Sequence, residues 1–323
     1  MGELGRDVFS IRFDPNDKYI AAGCKDGTIR IYNLSSKKES YILNLDSTEK
    51  VPTTSVRWRP LKSSKTTKNV LLSVNANGTV QQWHTTSGKL LTTIKDEHNE
   101  LYCADYNEDG SKFATGGKDG KIRVYDETSD KKKSETILSG TASRPGHNNR
   151  VFAVKFDVNN NPNILCSGGW DQKIIVWDVR MIEPIAYIQG PSICGDGLDI
   201  VQNQLLTSSW RSSKQLQFFD LRKGDKLMDI ELKPAKCAQS SVYKSCFLYS
   251  CQLSKLNGNF AICGGSKLNQ AYVVNINDHY KQLGVIYNLS RAVYTVNLGY
   301  ESNFFAISGG DGMISLFDIL KKT

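Results

Sequence analysis

The sequence repeats a short apolar segment along its 323 residues, and this repetition constrains the fold more than any single motif does. Val8–Phe13 and Val151–Phe156 read VFSIRF and VFAVKF, and Leu101–Tyr106 and Val293–Leu298 are looser copies. Each copy combines β-branched and aromatic residues with partial alternation, which predicts a strand. A segment of small residues follows these copies, as in the ATGG that ends at Gly117.

A third recurring element is a strand that ends in an aromatic residue followed by a polar one. With one aliphatic exception, it occurs at Tyr32-Asn33, Trp83-His84, Tyr125-Asp126, Trp177-Asp178, Phe219-Asp220, Val274-Asn275 and Phe317-Asp318. The mean spacing is about 47 residues, slightly above the roughly 40–45 of a four-stranded propeller blade. No stretch shows sustained helical periodicity. The pattern predicts an all-β, seven-bladed β-propeller, with residues 1–323 as a single domain and blades that end near residues 33, 84, 126, 178, 220, 275 and 318.

The fourth unit carries the most specific motif. Gly146-His147 precedes the strand Val151–Phe156, Ser167–Asp171 reads SGGWD, and Ile174–Asp178 reads IIVWD. With these features the chain resembles the WD40-repeat family over essentially its whole length. The resemblance implies a buried structural tetrad, in which the turn Asp fixes the imidazole tautomer and the Trp N–H finds a partner. In this sequence the tetrad residues are His147, Ser167, Asp171 and Trp177.

The other units depart from this pattern. Unit three has Thr115 and Asp119 but carries Tyr125 in place of the Trp, and His98 lies one residue out of register. Unit six lacks both the His and the terminal aromatic residue. One matching unit is weak evidence for the fold, whereas seven units in phase are strong evidence.

The seventh unit has little sequence left for an outer strand. Residues 319–323 follow Asp318, and residues 1–7, which precede the first inner strand, are few for both a strand and a loop. In the WD40 family the N-terminal segment usually supplies this strand. We therefore expect a seventh blade that is three-stranded or weakly closed. Such an edge either accepts a partner strand through its unpaired N–H and C=O groups or has no role.

Composition limits the class of protein. Charged residues at 23% and hydrophobic residues at 39% are ordinary for a globular chain. No apolar run approaches the roughly 18 residues of a membrane span, so we expect no membrane partner. The eight cysteines form no Cys-x-x-Cys pair and several stand in apolar runs, which predicts reduced thiols inside the cell. The cytoplasm is the first choice of compartment, and a nuclear, cytoskeletal or ciliary location stays open.

The sequence contains none of the common catalytic, cofactor-binding or metal-binding motifs. It has no nucleophile elbow, no His-Glu-x-x-His and no phosphate-binding loop, and its cysteines lack zinc-ligand spacing. Of its four histidines, His147 is assigned to the tetrad. We expect a protein that is not an enzyme and that needs no cofactor or metal.

Function is therefore expected on the faces of the propeller, where the loops of many blades converge. In the WD40 family, contact positions lie just before the first strand of a unit and just before the turn Asp. On unit four these positions are Asn148, Arg150 and Trp170. Unit five has Trp210 and Arg211 in its corresponding turn. Because Trp and Arg bury large areas and still form directional bonds, we predict a protein- or peptide-binding patch on a monomeric propeller that serves as a scaffold within a larger complex.

Two alternatives stay open. WDVR ending at Arg180 and FDLR ending at Arg222 resemble the motif by which some WD40 proteins dock on the adaptor of cullin–RING ubiquitin ligases. An Arg in this place is also common where strands leave a blade. The net charge of +8 allows a basic face for RNA or other nucleic acid, which requires Lys65, Lys68 and Lys131–Lys133 to converge. Scattered lysines without interleaved aromatic residues make nucleic acid the less favoured partner.

Overall fold

The computed structural model describes residues 7–44, 50–129, 134–157, 161–235, 244–255, 258–301 and 303–319. Within these ranges the chain forms twenty-seven β-strands and no helix. The strands make seven antiparallel sheets, and the strands of each sheet follow one another in chain order, as in the blades of a propeller. The all-β, seven-bladed architecture predicted from the repeats is confirmed.

The first four sheets have four strands each. Their bounds are β1 Val8–Phe13, β2 Tyr19–Cys24, β3 Ile29–Asn33 and β4 Glu39–Leu43; β5 Thr53–Trp58, β6 Val70–Asn75, β7 Thr79–His84 and β8 Lys89–Lys95; β9 Leu101–Tyr106, β10 Lys112–Gly117, β11 Ile122–Asp126 and β12 Thr136–Leu138; β13 Val151–Phe156, β14 Ile164–Gly169, β15 Lys173–Asp178 and β16 Pro184–Gln189.

The remaining sheets complete the ring. Their strands are β17 Leu198–Val201, β18 Gln204–Ser208, β19 Leu216–Asp220 and β20 Lys226–Ile230; β21 Phe247–Leu253, β22 Phe260–Ser266, β23 Ala271–Asn275 and β24 Lys281–Ile286; β25 Val293–Leu298, β26 Phe304–Gly309 and β27 Ser315–Asp318. The described part of the seventh sheet thus has three strands, as expected, and residues 1–6 and 320–323 lie outside the described residues. The third strands end at residues 33, 84, 126, 178, 220, 275 and 318.

Small residues in the second strands let neighbouring sheets approach closely. A Cβ atom on Gly116 of β10 would lie 2.8 Å from a methyl group of Val151 in the next inner strand. One on Gly264 of β22 would lie 2.5 Å from a methyl group of Val293. Because protein interiors are close-packed, an added methyl group at these places forces a sheet to move. The recurring small-residue segment of the sequence is therefore a packing requirement between sheets.

The apolar core lies between the faces of adjacent sheets. The cluster between the third and fourth sheets includes Val124, Val154 and Trp177, which are almost fully buried. Among the described residues, seven such clusters fill the seven junctions of the ring. Each large apolar side chain buried in this way contributes about 1.5–3 kcal/mol relative to exposure.

Hydrogen bonds between β25 and β1 close the ring. Thr295 Oγ1 accepts from the N–H of Ile11 at 3.1 Å, and Asn297 Oδ1 accepts from the N–H of Phe13 at 2.6 Å. The bonded residues are 284 positions apart in sequence. The first and seventh sheets therefore meet through side chains of one inner strand and the backbone of the other. The described residues include no helix of the length and hydropathy that a membrane-spanning segment needs.

Candidate functional site

Six of the seven inner strands contain a β-bulge near their first residue. A bulge inserts one unpaired residue into a strand and re-aims its side chain. Here the inserted residues line a cavity of about 450 Å³ at one end of the central channel, which we call the upper end. They are Phe9, Thr54, Tyr102, Phe152, Tyr249 and Tyr294.

Five of these inserted residues are aromatic and form what we call the aromatic collar: Phe9, Tyr102, Phe152, Tyr249 and Tyr294. The rings of Tyr102 and Phe152 stack with centroids 4.8 Å apart. Those of Phe9 and Tyr294 stack at 5.8 Å, and Tyr249 meets Tyr294 edge to face at 5.5 Å. Such pairs are worth about 0.5–1.5 kcal/mol beyond their buried area. The collar is therefore ordered while its rings stay only half-buried.

Trp170 extends the collar on the fourth sheet. Its ring lies 5.2 Å from that of Phe152, and 44% of the residue is exposed. The guanidinium of Arg150 stands 5.4 Å from the Trp170 ring centroid, within range of a cation–π interaction. The indole N–H donates to Cys194 Sγ at 3.2 Å, and burial raises the pKa of that thiol. Trp170 is thus held from two sides and still faces solvent.

Trp210 extends the collar on the fifth sheet. Its ring meets Phe247 edge to face at 5.3 Å and lies 6.5 Å from Tyr249. The indole N–H donates to Ser266 Oγ at 3.2 Å, and the Lys267 ammonium lies 5.8 Å from the ring centroid. This residue is 37% exposed. The two predicted tryptophans therefore flank one opening, each anchored through a different collar residue.

Asp196 forms the floor of the upper cavity. It lies in the segment between the fourth and fifth sheets, where Arg57 Nη2 donates to Asp196 Oδ1 at 2.9 Å and Arg12 contacts Asp196 Oδ2. Both guanidinium groups are almost fully buried. The collar is therefore separated by one carboxylate from cationic groups deeper in the channel.

The other two predicted contact residues, Asn148 and Arg211, form hydrogen bonds to nearby loops. Asn148 is exposed, and its backbone N–H donates to Asp171 Oδ2 at 3.3 Å. The Arg211 guanidinium donates to Gly190 O at 2.9 Å and to the carbonyl of Lys214, and it also bonds Gln217. Partial burial lowers the pKa of Arg211. Its side chain is committed to the turn that carries Trp210, so the structure places it as a support of that turn.

The fourth sheet contains a continuous chain of four hydrogen-bonded side chains. His147 Nδ1 lies 2.8 Å from Asp171 Oδ2, His147 Nε2 lies 2.7 Å from Ser167 Oγ, and Trp177 Nε1 donates to the same Ser167 oxygen at 2.7 Å. A carboxylate can only accept, so Nδ1 carries a proton, and in the neutral imidazole Nε2 then accepts from the Ser167 hydroxyl. Burial acts to raise the pKa of Asp171, but the bond and charge of His147, together with backbone N–H groups of Asn148 and Lys173, outweigh it and the pKa is lowered. Three hydrogen bonds thus join the four predicted side chains into one network.

Comparison with known proteins gives the family. The family model of the WD40 repeat, described as the WD domain, G-beta repeat, matches residues 2–33, 88–126 and 139–178. The strands within these segments belong to the ring of seven sheets. The chain contains WD40 repeats. A chain in the crystal structure of a mitotic checkpoint complex superposes on this propeller with a TM-score of 0.79 and 16% identity, covering 98% of this chain and 90% of that one.

Two curated relatives of this WD40 propeller are similar over parts of their length. A transcription initiation factor TFIID subunit 5 of Caenorhabditis elegans is 25% identical over 47% of this chain and 21% of its own length. A poly(A)+ RNA export protein of Schizosaccharomyces pombe is 23% identical over 70% of this chain and 60% of its own. The propeller therefore spans less than two thirds of either relative.

The opposite, lower end of the WD40 channel carries a layer of charged and amide side chains. Three residues after each bulge residue, and at the matching place in β17, the inner strands present what we call the charged layer: Arg12, Arg57, Asp105, Lys155, Asp199, Gln252 and Asn297. These side chains line a second cavity of about 350 Å³. All seven residues are buried. One set of strands thus builds an aromatic opening and a charged cavity.

The two arginines of the adaptor-docking alternative are exposed on neighbouring sheets. The Arg180 side chain is 65% exposed and donates to both carboxylate oxygens of Asp178, at 2.9 and 2.6 Å. The Arg222 side chain is 69% exposed, and its Nη2 lies 3.7 Å from Asp220 Oδ2. Each guanidinium therefore lies beside the Asp that precedes it by two residues.

The described residues give little support for a basic face that binds nucleic acid. Lys68 Nζ donates to the carbonyl of Ser63, while Lys131–Lys133 lie outside the described residues. Convergence of these lysines therefore stays a prediction. Among the described residues, no group of three or more His, Cys, Asp or Glu side chains is arranged to hold a metal ion.

Sequence reasoning missed the aromatic collar. Phe9, Tyr102, Phe152 and Tyr294 stand second in the repeated apolar segments and were interpreted only as strand formers. Their recurrence at one position was the available signal. In the third sheet, His98 is exposed, and the buried Asn99 accepts the N–H of Asp119 at 3.2 Å through Oδ1. The out-of-register histidine is therefore replaced by its neighbour as the anchor of that turn.

Proposed function

We propose that this WD40 propeller is a single-domain, non-catalytic scaffold that binds a protein or peptide at its upper end. The contact surface consists of the aromatic collar with Arg150, Trp170 and Trp210, and Asn148 and Arg211 stand at its margin. The observation that carries the proposal is the pair of exposed tryptophans, each packed on a collar ring around one cavity.

The physical argument rests on exposure combined with order. Trp and Arg dominate binding energy at interfaces, and half-exposed rings gain most when a partner covers them. Trp170 and Trp210 are already held by ring contacts and by hydrogen bonds from their indole N–H groups. These two side chains therefore lose little conformational entropy when a partner covers them. An apolar side chain of the partner can enter the cavity, whose walls are mainly apolar and include the five collar rings.

The names of the relatives support a role in complexes but leave the compartment open. One relative is named as a subunit of a transcription initiation factor and the other as an RNA export protein. These names favour a nuclear complex at least as much as a cytoplasmic one. We propose an intracellular protein that acts as one subunit among several.

Co-purification from the native cell tests this function. We expect the tagged wild-type protein to retain a set of partners. The recovered amount of these partners should fall at least tenfold with Trp170→Ala and with Trp210→Ala, the loss expected for hot-spot residues worth about 2 kcal/mol. Arg150→Ala should weaken the same partners less. Leu283→Ala is the matched control, because it removes an apolar side chain that is 48% exposed on the outer strand β24. Unchanged partners in all three upper-end variants would contradict the proposal.

Adaptor docking is a second candidate function, favoured by the exposure of Arg180 and Arg222 on adjacent sheets. The purified protein is mixed with the purified adaptor subunit, and the complex is isolated by size-exclusion chromatography. We expect Arg180→Ala combined with Arg222→Ala to abolish the complex, whereas Trp170→Ala leaves it intact. A complex that forms equally with the double variant would exclude this candidate.

A further inference from the structure

The lower cavity is surrounded by more positive charge than negative. Two further groups join the charged layer: Lys255 reaches it from beyond β21, and Asp196 reaches it from the floor of the upper cavity. With Lys155 protonated, the cluster holds four cations (Arg12, Arg57, Lys155 and Lys255) and three carboxylates (Asp105, Asp196 and Asp199). The net charge is +1 in a place where uncompensated charge is costly.

The carboxylates of the cluster are already engaged. Asp199 accepts from Lys255 Nζ at 2.7 Å and from a backbone N–H of β21 at 2.8 Å. Asp105 accepts from Arg57 Nε at 3.1 Å and from a backbone N–H of β13 at 3.0 Å. Asp196 is bonded to Arg57 and contacts Arg12. The acceptors are therefore largely used up by other donors.

Lys155 is left without a bonded acceptor among the described residues. Its Nζ lies 3.9 Å from Asp105 Oδ1 and 3.8 Å from Asp199 Oδ1, beyond hydrogen-bond distance from either. Its side chain is only 8% exposed, and it lines the lower cavity. Arg12 Nε is also buried without an acceptor in the described part of the chain. Two cationic side chains thus have spare N–H donors at one cavity.

The protonation equilibria agree with this geometry. Burial, reinforced by the charge of Arg57, lowers the pKa of Lys155 to about 7 in spite of Asp105 and Asp199. Burial also lowers the pKa of Arg12. A negative ligand in the cavity supplies the missing charge and accepts the spare N–H groups.

We propose that the lower cavity is a binding site for a small oxyanion of the phosphate class, held by Lys155 and Arg12. A tetrahedral oxyanion accepts several charge-assisted hydrogen bonds at once, which a chloride ion cannot match. The cavity of about 350 Å³ has ample space for it and opens past Lys62, whose side chain is 69% exposed. This site lies at the end of the channel opposite the proposed partner surface, so the two proposals stand independently.

Calorimetric titration and thermal unfolding of the full chain at pH 6.5 provide the test. We expect inorganic phosphate to bind the wild type and to raise its unfolding midpoint above that in sodium chloride of equal ionic strength. Lys155→Met should weaken phosphate binding at least about tenfold, the effect of losing a hydrogen bond to a charged group. Glycerol phosphate is titrated in a second experiment. If it binds as tightly as inorganic phosphate, the site also accepts the phosphate group of a larger ligand.

Lys89→Met is the matched control, because it removes an exposed lysine of the outer strand β8 that does not line the cavity, and it should bind phosphate like the wild type. A wild type that responds equally to phosphate and chloride overturns the proposal, even if the Lys155 variant fails to fold. So does a folded Lys155→Met protein that keeps the full phosphate response, because binding then lies at surface lysines.

Discussion

At the upper end of the channel, the inner strands present Phe9, Tyr102 and Phe152 to a half-open cavity, whereas three residues later the same strands present Arg12, Asp105 and Lys155. The aromatic rings keep contact with solvent, and the ionic groups do not. Burying a ring is favourable, but burying a charge is costly unless it is paired. The upper end can therefore change its contacts without threatening the fold, and the lower end cannot.

Removing a carboxylate from the lower end should have the largest effect. We expect Asp199→Ala to lower the free energy of unfolding by about 3–5 kcal/mol, because the buried Lys155 and the partly buried Lys255 are left with less compensating charge. Urea unfolding measures the change. The control Asp225→Ala alters an exposed carboxylate and should stay within about 0.5 kcal/mol. Equal effects of the two substitutions would mean that the charged layer adds nothing to stability.

The stability of the lower end should also depend on pH through Lys155. Its pKa is about 7 in the folded chain and ordinarily 10.5, so between these values the unfolded chain binds more protons. Stability from this group is present above pH 10.5 and is lost as the pH falls to 7. The charged groups that face Lys155 are Arg57, Asp105, Asp199 and Lys255. Relative to Lys155→Met, the wild type should lose more than about 1 kcal/mol across this window in urea unfolding; parallel profiles would contradict the lowered pKa.

A collar substitution should have a smaller effect on folding. Phe152 stacks on Tyr102 and contacts Trp170, so Phe152→Leu removes two ring pairs and should cost about 1–2 kcal/mol of unfolding free energy. Partner binding should fall with it. Phe304→Leu, on a ring 41% exposed at the start of β26, is the control and should change stability by less than about 0.5 kcal/mol. A loss as large as that of the carboxylate variant would remove the contrast between the two ends.

The smallest effect should come from one hydroxyl of the collar. Tyr102 OH donates to Glu100 Oε2 at 2.6 Å, and the bonds from Lys118 and then Tyr102 lower the pKa of Glu100. Tyr102→Phe should raise that pKa, as measured by NMR titration, and should cost about 0.5 kcal/mol of unfolding free energy. A Glu100 pKa that does not move would show that Lys118 alone sets it.

The ring of sheets was accessible from sequence because its signals are local. The aromatic–polar strand ends and the small residues before each turn recur in every unit or nearly so, and residues such as Gly116 are required by the next sheet. The exposed tryptophans were found through the family's contact positions. The collar was not found, because the direction of the Phe152 side chain depends on a bulge in the pairing of β13 with β14. The charged layer was also missed, since Arg12 and Asp199 meet only when the ring is closed.

The bonds from Ile11 and Phe13 to β25 also bear on biosynthesis, because their partners are separated by 284 positions. At translation rates of about 5–20 residues per second, roughly 15–60 s pass between the appearance of the two sides of this seam at the ribosome. During that time the nascent protein is an open arc with two apolar flanks. A chaperone that shields these flanks until β25 emerges would prevent neighbouring nascent chains from joining each other's arcs.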